Sequence, residues 1–340
     1  MNAKAQFHQQ YPTAFFLELH PSEALTQYLQ QQTWIQPEET VVSLEKPGEG
    51  NMNFVARVIT DTRSFIVKQA LPWVYKYPQV AAPMDRSYSE ATFYRLIEDD
   101  PKLQQYTPLL IGHDPQSYVL AQADLGTGAD FTFLYSTGES ITDDQLKHLL
   151  VFLTHLHQIK GHPDEPAFLE NRAMRELNHE HIFRYPFLKD NGLDLDTVVP
   201  GLQRVATAYQ QDAALRRKVE ELGNIYLQNG DTLVHGDYYP GSWLRVSSGV
   251  RVIDPEFSFF GRPEFDVGVM IAHALLSASG GYSPAHVLEY YRPSTNFDKS
   301  LAQSFAGVEV MRRLLGLAQL SLSHSLEKRE ALLQQAISML

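Results

Sequence analysis

At 340 residues, 44% of them hydrophobic and 20% charged, the chain has an ordinary globular composition and enough length for one large bilobal domain or two domains. It contains no cysteine, which excludes disulfides, Cys-ligated zinc, iron–sulfur clusters and thiol nucleophiles. The formal net charge of -12 argues against nucleic acid or an anionic membrane as the main partner.

The opening "MNAKAQFHQQYPTAFFLELH" has no apolar core of signal-peptide length, and no run reaches the length of a membrane span. "VGVMIAHALLSA" (267–278) has the length of a buried helix, so a cytoplasmic location is expected. Residues 14–32 read as helical, with an entry at Pro21-Ser22-Glu23. The period then changes. "VVSLE", "NFVARVIT" and "SFIVKQA", within 41–70, read as three antiparallel strands separated by "PGEG" and "TDTRS". "SYSEATFYRLIE" (87–98) is predicted helical, with Tyr88, Ala91, Phe93, Tyr94 and Ile97 as its apolar face. "LLIGHD" and "SYVLAQAD" (109–124) return to strand. After a linker near 122–130 the chain turns helical, beginning with the Thr-capped stripe 142–159 and two helices within 198–230. A hairpin over 242–256 is predicted to turn at Ser248-Gly249, and helices resume at 265–278, 284–292 and 300–340. The expected fold is therefore α+β, with a small β-rich lobe (1–122) and a larger, mainly helical lobe (123–340).

Four stretches carry chemistry. In "PGEGNMNF" (47–54) the glycines either make a plain tight hairpin or let backbone N–H groups approach phosphate oxygens. Lys68, inside the apolar run "FIVKQA", either snorkels from an edge or points at a buried anion; Glu90 on the next helix is placed to neutralise it. In "LVHGDYYPGSWL" (233–244), Asp237 follows an apolar strand beside a glycine, where a carboxylate can accept a proton from a substrate hydroxyl. Ser242 follows at the start of the hairpin. In "VIDPEF" (252–257), Asp254 and Glu256 lie two apart, and on an extended segment they would share one side. Two such carboxylates repel unless a cation joins them, and hard oxygen ligands suit Mg²⁺. The histidine pairs in "THLHQI" and "NHEHIF" read as core or surface residues rather than metal ligands, and His235 reads as a pin of the 235–242 loop.

The ordered set "GEGNMNF", Lys68, Glu90, "HGDYYPGSWL" and "VIDPEF" resembles the aminoglycoside phosphotransferase/choline kinase superfamily, which has the protein-kinase-like fold. "FIVKQALPWV", "VIDPEFSFFGRPEFDVG" and "MRRLLGLA" bring it nearest to the 5-methylthioribose kinases. The resemblance implies an ATP-dependent kinase that phosphorylates a hydroxyl of methylthioribose or a similar sugar, with ATP and Mg²⁺ as cofactors. It implies that Gly48, Gly50 and Asn51 cover the phosphates. Lys68, held by Glu90, contacts the α- and β-phosphates, and Gln122 lies near the adenine. Asp237 deprotonates the acceptor, Asp254 and Glu256 hold Mg²⁺ with Ser242, and Arg312 and Arg313 reach the acceptor. An aminoglycoside, a choline-like or other amino-alcohol acceptor, or a non-catalytic nucleotide-binding regulator are the alternatives. The expected partner is a small molecule with a hydroxyl group, not nucleic acid or membrane, and a homodimer is compatible with the sequence.

Overall fold

The computed structural model describes residues 3–48, 50, 52–136, 138–279, 282–293 and 296–340. Two helices open the chain, α1 (Ala3–Gln10) and α2 (Glu23–Gln31). Ser22 caps α2 by accepting from the Leu25 N–H at 3.1 Å, which satisfies one of the orphan donors of the first turn. Residues 14–22 are not helical, contrary to expectation. Buried Gln69 takes their backbone instead: it accepts from Leu17 N at 2.8 Å and donates to Phe15 O at 2.6 Å.

Strands β1 (Val41–Glu45), β2 (Phe54–Thr60) and β3 (Ser64–Gln69) follow as an antiparallel meander. A short hairpin, β4 (Trp73–Val74) and β5 (Tyr77–Ala81), leads to α3 (Arg86–Ile97) and the single turn α4 (Pro101–Gln104). Strands β6 (Leu110–Asp114) and β7 (Val119–Ala123) complete a sheet of order β1-β2-β3-β7-β6. Its register decides which side chains share a face. Val67 pairs with Ala56 and Ala121, and Phe65 with Val58; these pack with Phe7, Leu25 and Leu29 of the first two helices into one core. Fully burying each Val, Leu or Phe contributes about 1.5–3 kcal/mol. Lys68, Ile66 and Gln122 lie on the other face, since Ile66 pairs with Gln122 and Lys68 with Leu120. Helix α3 is buried almost all round; Glu90, Arg86, Ser89 and Thr92 are as enclosed as its apolar residues. Tyr88, expected on the buried face, is exposed.

The chain divides into two compact units. The first runs to Thr127 and takes in Pro255–Phe257; the second comprises Gly128–Asp254 and Ser258–Leu340. In the second, β8 (Gly128–Asp130) precedes α5 (Asp143–Leu156), α6 (Arg172–His179), α7 (Leu202–Gln211) and α8 (Ala213–Tyr226). Thr142 and Gln145 form a capping box at the start of α5. Strand β9 (Thr232–Val234) pairs with β12 (Phe259–Gly261), and between them lies the hairpin β10 (Trp243–Val246) and β11 (Gly249–Val252). Val246 pairs with Gly249, so the turn is Ser247-Ser248, one residue earlier than expected. Helices α9 (Pro263–Leu276), α10 (Pro284–Tyr290), α11 (Lys299–Leu315) and α12 (Leu326–Ser338) finish the unit. The helical stretch expected over 300–340 is thus two helices, the second capped by Ser325. Gly268 lets α9 and α11 approach: a Cβ there would meet Ala302 O at 2.7 Å. The architecture is α+β, a β-rich first unit followed by a mainly helical one. Among the described residues, no helix is long and apolar enough to cross a membrane.

Candidate active site

The first unit holds a buried ion pair. Strand β3 turns Lys68 away from the core face, and its Nζ donates to Glu90 Oε1 of α3 at 2.7 Å. Both side chains are almost fully enclosed, and Glu90 also acts on the Arg86 charge. A second buried set surrounds Glu256. Its Oε2 accepts from Asn53 Nδ2 at 2.9 Å and lies 3.4 Å from Arg86 Nε. Arg86 also donates to Asn53 Oδ1, Pro83 O and Met52 O. Nothing in the sequence marks Asn53 or Arg86; both are polar residues enclosed by contacts made far along the chain.

Asp254 and Glu256 do not share one side of an extended segment. Asp254 has φ +61°, and Glu256 sits in one turn of 3-10 helix, Pro255–Phe257. Left-handed backbone at a non-glycine residue is uncommon, so the alternation argument fails there. Of the predicted phosphate loop, Gly50 N donates to Gly48 O at 3.2 Å, while Asn51 lies outside the described residues. A Cβ at Gly48 would meet nothing within 4 Å, so that glycine is not required by packing. Gln122, on β7, is buried, and its Oε1 has no hydrogen-bond partner among the described residues.

The second unit holds Asp237 on a loop that is pinned from several directions. Gly236 has φ +80°, which turns the chain sharply after β9. Fully buried Asp266, on α9, accepts from His235 N at 2.7 Å and Gly236 N at 2.9 Å. His157 Nε2 lies 3.2 Å from the same carboxylate, and the Tyr291 hydroxyl lies 2.7 Å from its Nδ1. His235 donates from Nε2 to Ile253 O at 3.1 Å, and Ser242 Oγ donates to Asp237 O at 2.8 Å. The loop is therefore fixed while the Asp237 carboxylate keeps partial exposure. Loss of water raises the Asp237 pKa, and the Arg313 and Arg312 charges oppose that rise. A carboxylate of raised basicity, held rigid, suits proton acceptance.

Arg312 and Arg313 are both buried, and both reach Glu309 on the preceding turn of α11. Arg312 Nη1 donates to Glu309 Oε1 at 3.1 Å and to Oε2 at 3.0 Å; Arg313 Nε donates to Oε1 at 2.6 Å. Arg313 Nη2 lies 3.9 Å from Asp237 Oδ1, and its guanidinium sits 4.7 Å over the Tyr239 ring. A solvated face is thereby excluded for the arginine pair. His273 Nε2 lies 3.3 Å from Glu309 Oε1, and the Tyr135 hydroxyl is 2.6 Å from His273 Nδ1. Sequence reading missed Asp266, Glu309 and His273; His157, read as a core or surface histidine, is buried against Asp266. Only Glu309 left a signal, three and four residues before an arginine pair.

Burial lowers the His273 pKa from 6.5 to about 4, and the neighbouring arginines oppose protonation further. Its folded value lies below its unfolded value, so the unfolded chain binds the extra proton between those limits. Stability from this group is complete above pH 6.5 and falls as pH drops toward 4, by about 1.4 kcal/mol per pH unit at the steepest. The melting temperature is expected to fall through that window, and more gently in His273→Asn. Equal acid sensitivity in the two proteins would count against this assignment.

Ser242 and Asp254 in the second unit and Glu256 in the first each offer an oxygen of the hard type that divalent cations prefer. Ser242 gives its hydroxyl proton to Asp237 O, which leaves the oxygen as a donor, and Asp254 and Glu256 are carboxylates. Among the described residues no group of three or more His, Asp or Glu is placed to hold a metal ion. Mg²⁺ commonly takes only one or two protein carboxylates, with phosphates completing its shell.

The profile of the Phosphotransferase enzyme family matches residues 43–286 of the chain. Methylthioribose kinase 1 of Oryza sativa subsp. japonica is 26% identical over 259 residues, covering 69% of this chain and 56% of that protein. Methylthioribose kinase of Pectobacterium atrosepticum (strain SCRI 1043) is 28% identical over 268 residues, covering 75% of this chain and 65% of that protein. The chain thus spans 56% and 65% of the length of these two relatives. Choline kinase LicA from Streptococcus pneumoniae aligns in structure with a TM-score of 0.51 at 13% identity, covering 94% of this chain and 99% of that one. The likeness is one of fold, the protein-kinase-like fold.

Proposed function

Because this chain belongs to the Phosphotransferase enzyme family, we propose that it is an ATP-dependent kinase acting on a hydroxyl of a small molecule. The observation that carries the reading is Asp237, partly exposed on a loop fixed by Asp266, with the Arg313 guanidinium 3.9 Å from its carboxylate. Asp237 orients the acceptor hydroxyl and takes its proton as the oxygen attacks the γ-phosphorus; the bond to the β-phosphate oxygen breaks and ADP leaves. Lys68, aimed by Glu90, faces the α- and β-phosphates, and the backbone at Gly48 and Gly50 covers them. Gln122 lies near the adenine. Asp254, Ser242 and Glu256 are the residues that would hold Mg²⁺, which when bound neutralises the triphosphate charge.

The acceptor is proposed to be methylthioribose or a similar uncharged sugar. Support comes from Arg312 and Arg313, which pair with Glu309; Arg313 brings guanidinium donors to within 3.9 Å of Asp237, where they suit the oxygens of a sugar. A cationic acceptor, such as an aminoglycoside or a choline-like amino alcohol, would meet those two guanidinium groups. Coupled ADP release across methylthioribose, choline and aminoglycosides tests this. Acceptor-dependent turnover with the sugar alone is expected. Faster turnover with a cationic acceptor would reverse the assignment, and none with any acceptor would favour a non-catalytic regulator.

ATP binding is expected to weaken by about tenfold or more without divalent metal, because the carboxylates would repel the triphosphate. Calorimetric titration with Mg²⁺ and with EDTA measures this; equal affinities would remove the metal role of Asp254, Glu256 and Ser242.

A further inference from the structure

Glu309 is enclosed, and donors approach it from three sides. Arg312 reaches it from three positions along α11 and Arg313 from four. His273 reaches it from α9, and the Tyr135 hydroxyl at Nδ1 fixes that imidazole. These contacts engage both carboxylate oxygens of Glu309. Its consequence falls on Arg313. A guanidinium near a carboxylate ordinarily closes into a short, two-pronged pair. Arg313 does not: Nη2 remains 3.9 Å from Asp237 Oδ1, beyond hydrogen-bond distance. Two contacts hold it back, the 2.6 Å bond from Nε to Glu309 and the seat over the Tyr239 ring.

We propose that Glu309 is a positioning residue for the acceptor: it holds the Arg313 guanidinium over Tyr239 and off Asp237. Arg313 is thereby presented to the acceptor oxygens, and Asp237 stays open to a proton. The inference rests on the reading of Asp237 as the group that takes the acceptor proton. Charge supports it as well. Without Glu309, two arginines would face Asp237 alone, and the nearer one would close upon it.

The variant to make is Glu309→Gln, which keeps the shape and removes the charge. Its acceptor KM is expected to rise about tenfold or more and its kcat to fall about tenfold, with the ATP KM within about twofold of the parent. An unchanged acceptor KM, or a parallel rise for both substrates, overturns the proposal, since a merely structural carboxylate would not separate the two. Should Glu309→Gln not fold, His273→Asn decides. It removes one donor to Glu309 and is expected to raise the acceptor KM about threefold with the ATP KM unchanged; no change overturns the proposal. A crystal structure of Glu309→Gln gives a readout that does not depend on turnover. Arg313 within hydrogen-bond distance of Asp237 is expected, and a guanidinium still seated over Tyr239 overturns the inference. If the parent phosphorylates no acceptor while Arg313 moves as expected, the kinase reading fails and the positioning of Arg313 stands.

Discussion

Asp237→Asn is expected to bind ATP as the parent does and to lose about 10²-fold or more in kcat. Asparagine has the same shape, and the loop contacts it inherits are backbone ones: Ser242 Oγ and Tyr239 N both bond to the residue-237 carbonyl. The pins on His235 and Gly236 come from Asp266 and do not involve the side chain. The variant therefore removes a proton acceptor without releasing the loop. Nucleotide affinity by calorimetry and turnover by coupled assay separate the two effects. Near-parental turnover would mean that Asp237 is not the group that takes the acceptor proton.

Lys68→Met is expected to reduce turnover about as severely, and to destabilise the protein by about 3–5 kcal/mol as well. The second effect follows from burial: Glu90 is 2% exposed, and methionine would leave its charge in a poorly solvated place. Replacing both, as Lys68→Met/Glu90→Met, is expected to recover most of the lost stability and none of the turnover. Urea unfolding and the coupled assay together give the answer. Were activity to return with stability in the double variant, Lys68 would be a structural residue whose charge the phosphates do not use.

The sheet was legible because its first three strands are short runs rich in β-branched residues, with β2 alternating in burial, and its turns carry Gly, Asp and Thr. Two helix entries were legible because Ser22 and Thr142 are good caps for stated physical reasons. Residues 14–22 misled because their helical pattern competes with Gln69, a single distant side chain that takes two of their backbone groups. Helix α3 misled because periodicity marks apolar faces, and its second buried face is polar. At the candidate site, loops of unusual composition drew the eye to Asp237 and Asp254. Asp266 and Glu309 did not, since each lies on a largely buried helix and takes a partner distant in sequence, the His235 and Gly236 backbone for Asp266 and His273 for Glu309. Nor could the sequence foretell the left-handed turn at Asp254, because a non-glycine residue there carries no compositional mark.

The company kept by Glu256 also bears on inheritance. Asn53 and Glu256 are 203 positions apart and hydrogen-bond within the first unit, beside an Arg86 that has no exposure at all. A gene fragment ending at Thr127 would encode every strand of the five-stranded sheet and still omit the counter-charge of its most enclosed guanidinium. That unit is consequently not a transplantable module. A chimaera spliced at Thr127 between distant relatives would have to exchange the three residues Pro255–Phe257 along with it, or inherit a mismatched charge. Substitutions at 53, 86 and 256 should therefore travel together through descent, although most of the chain lies between them.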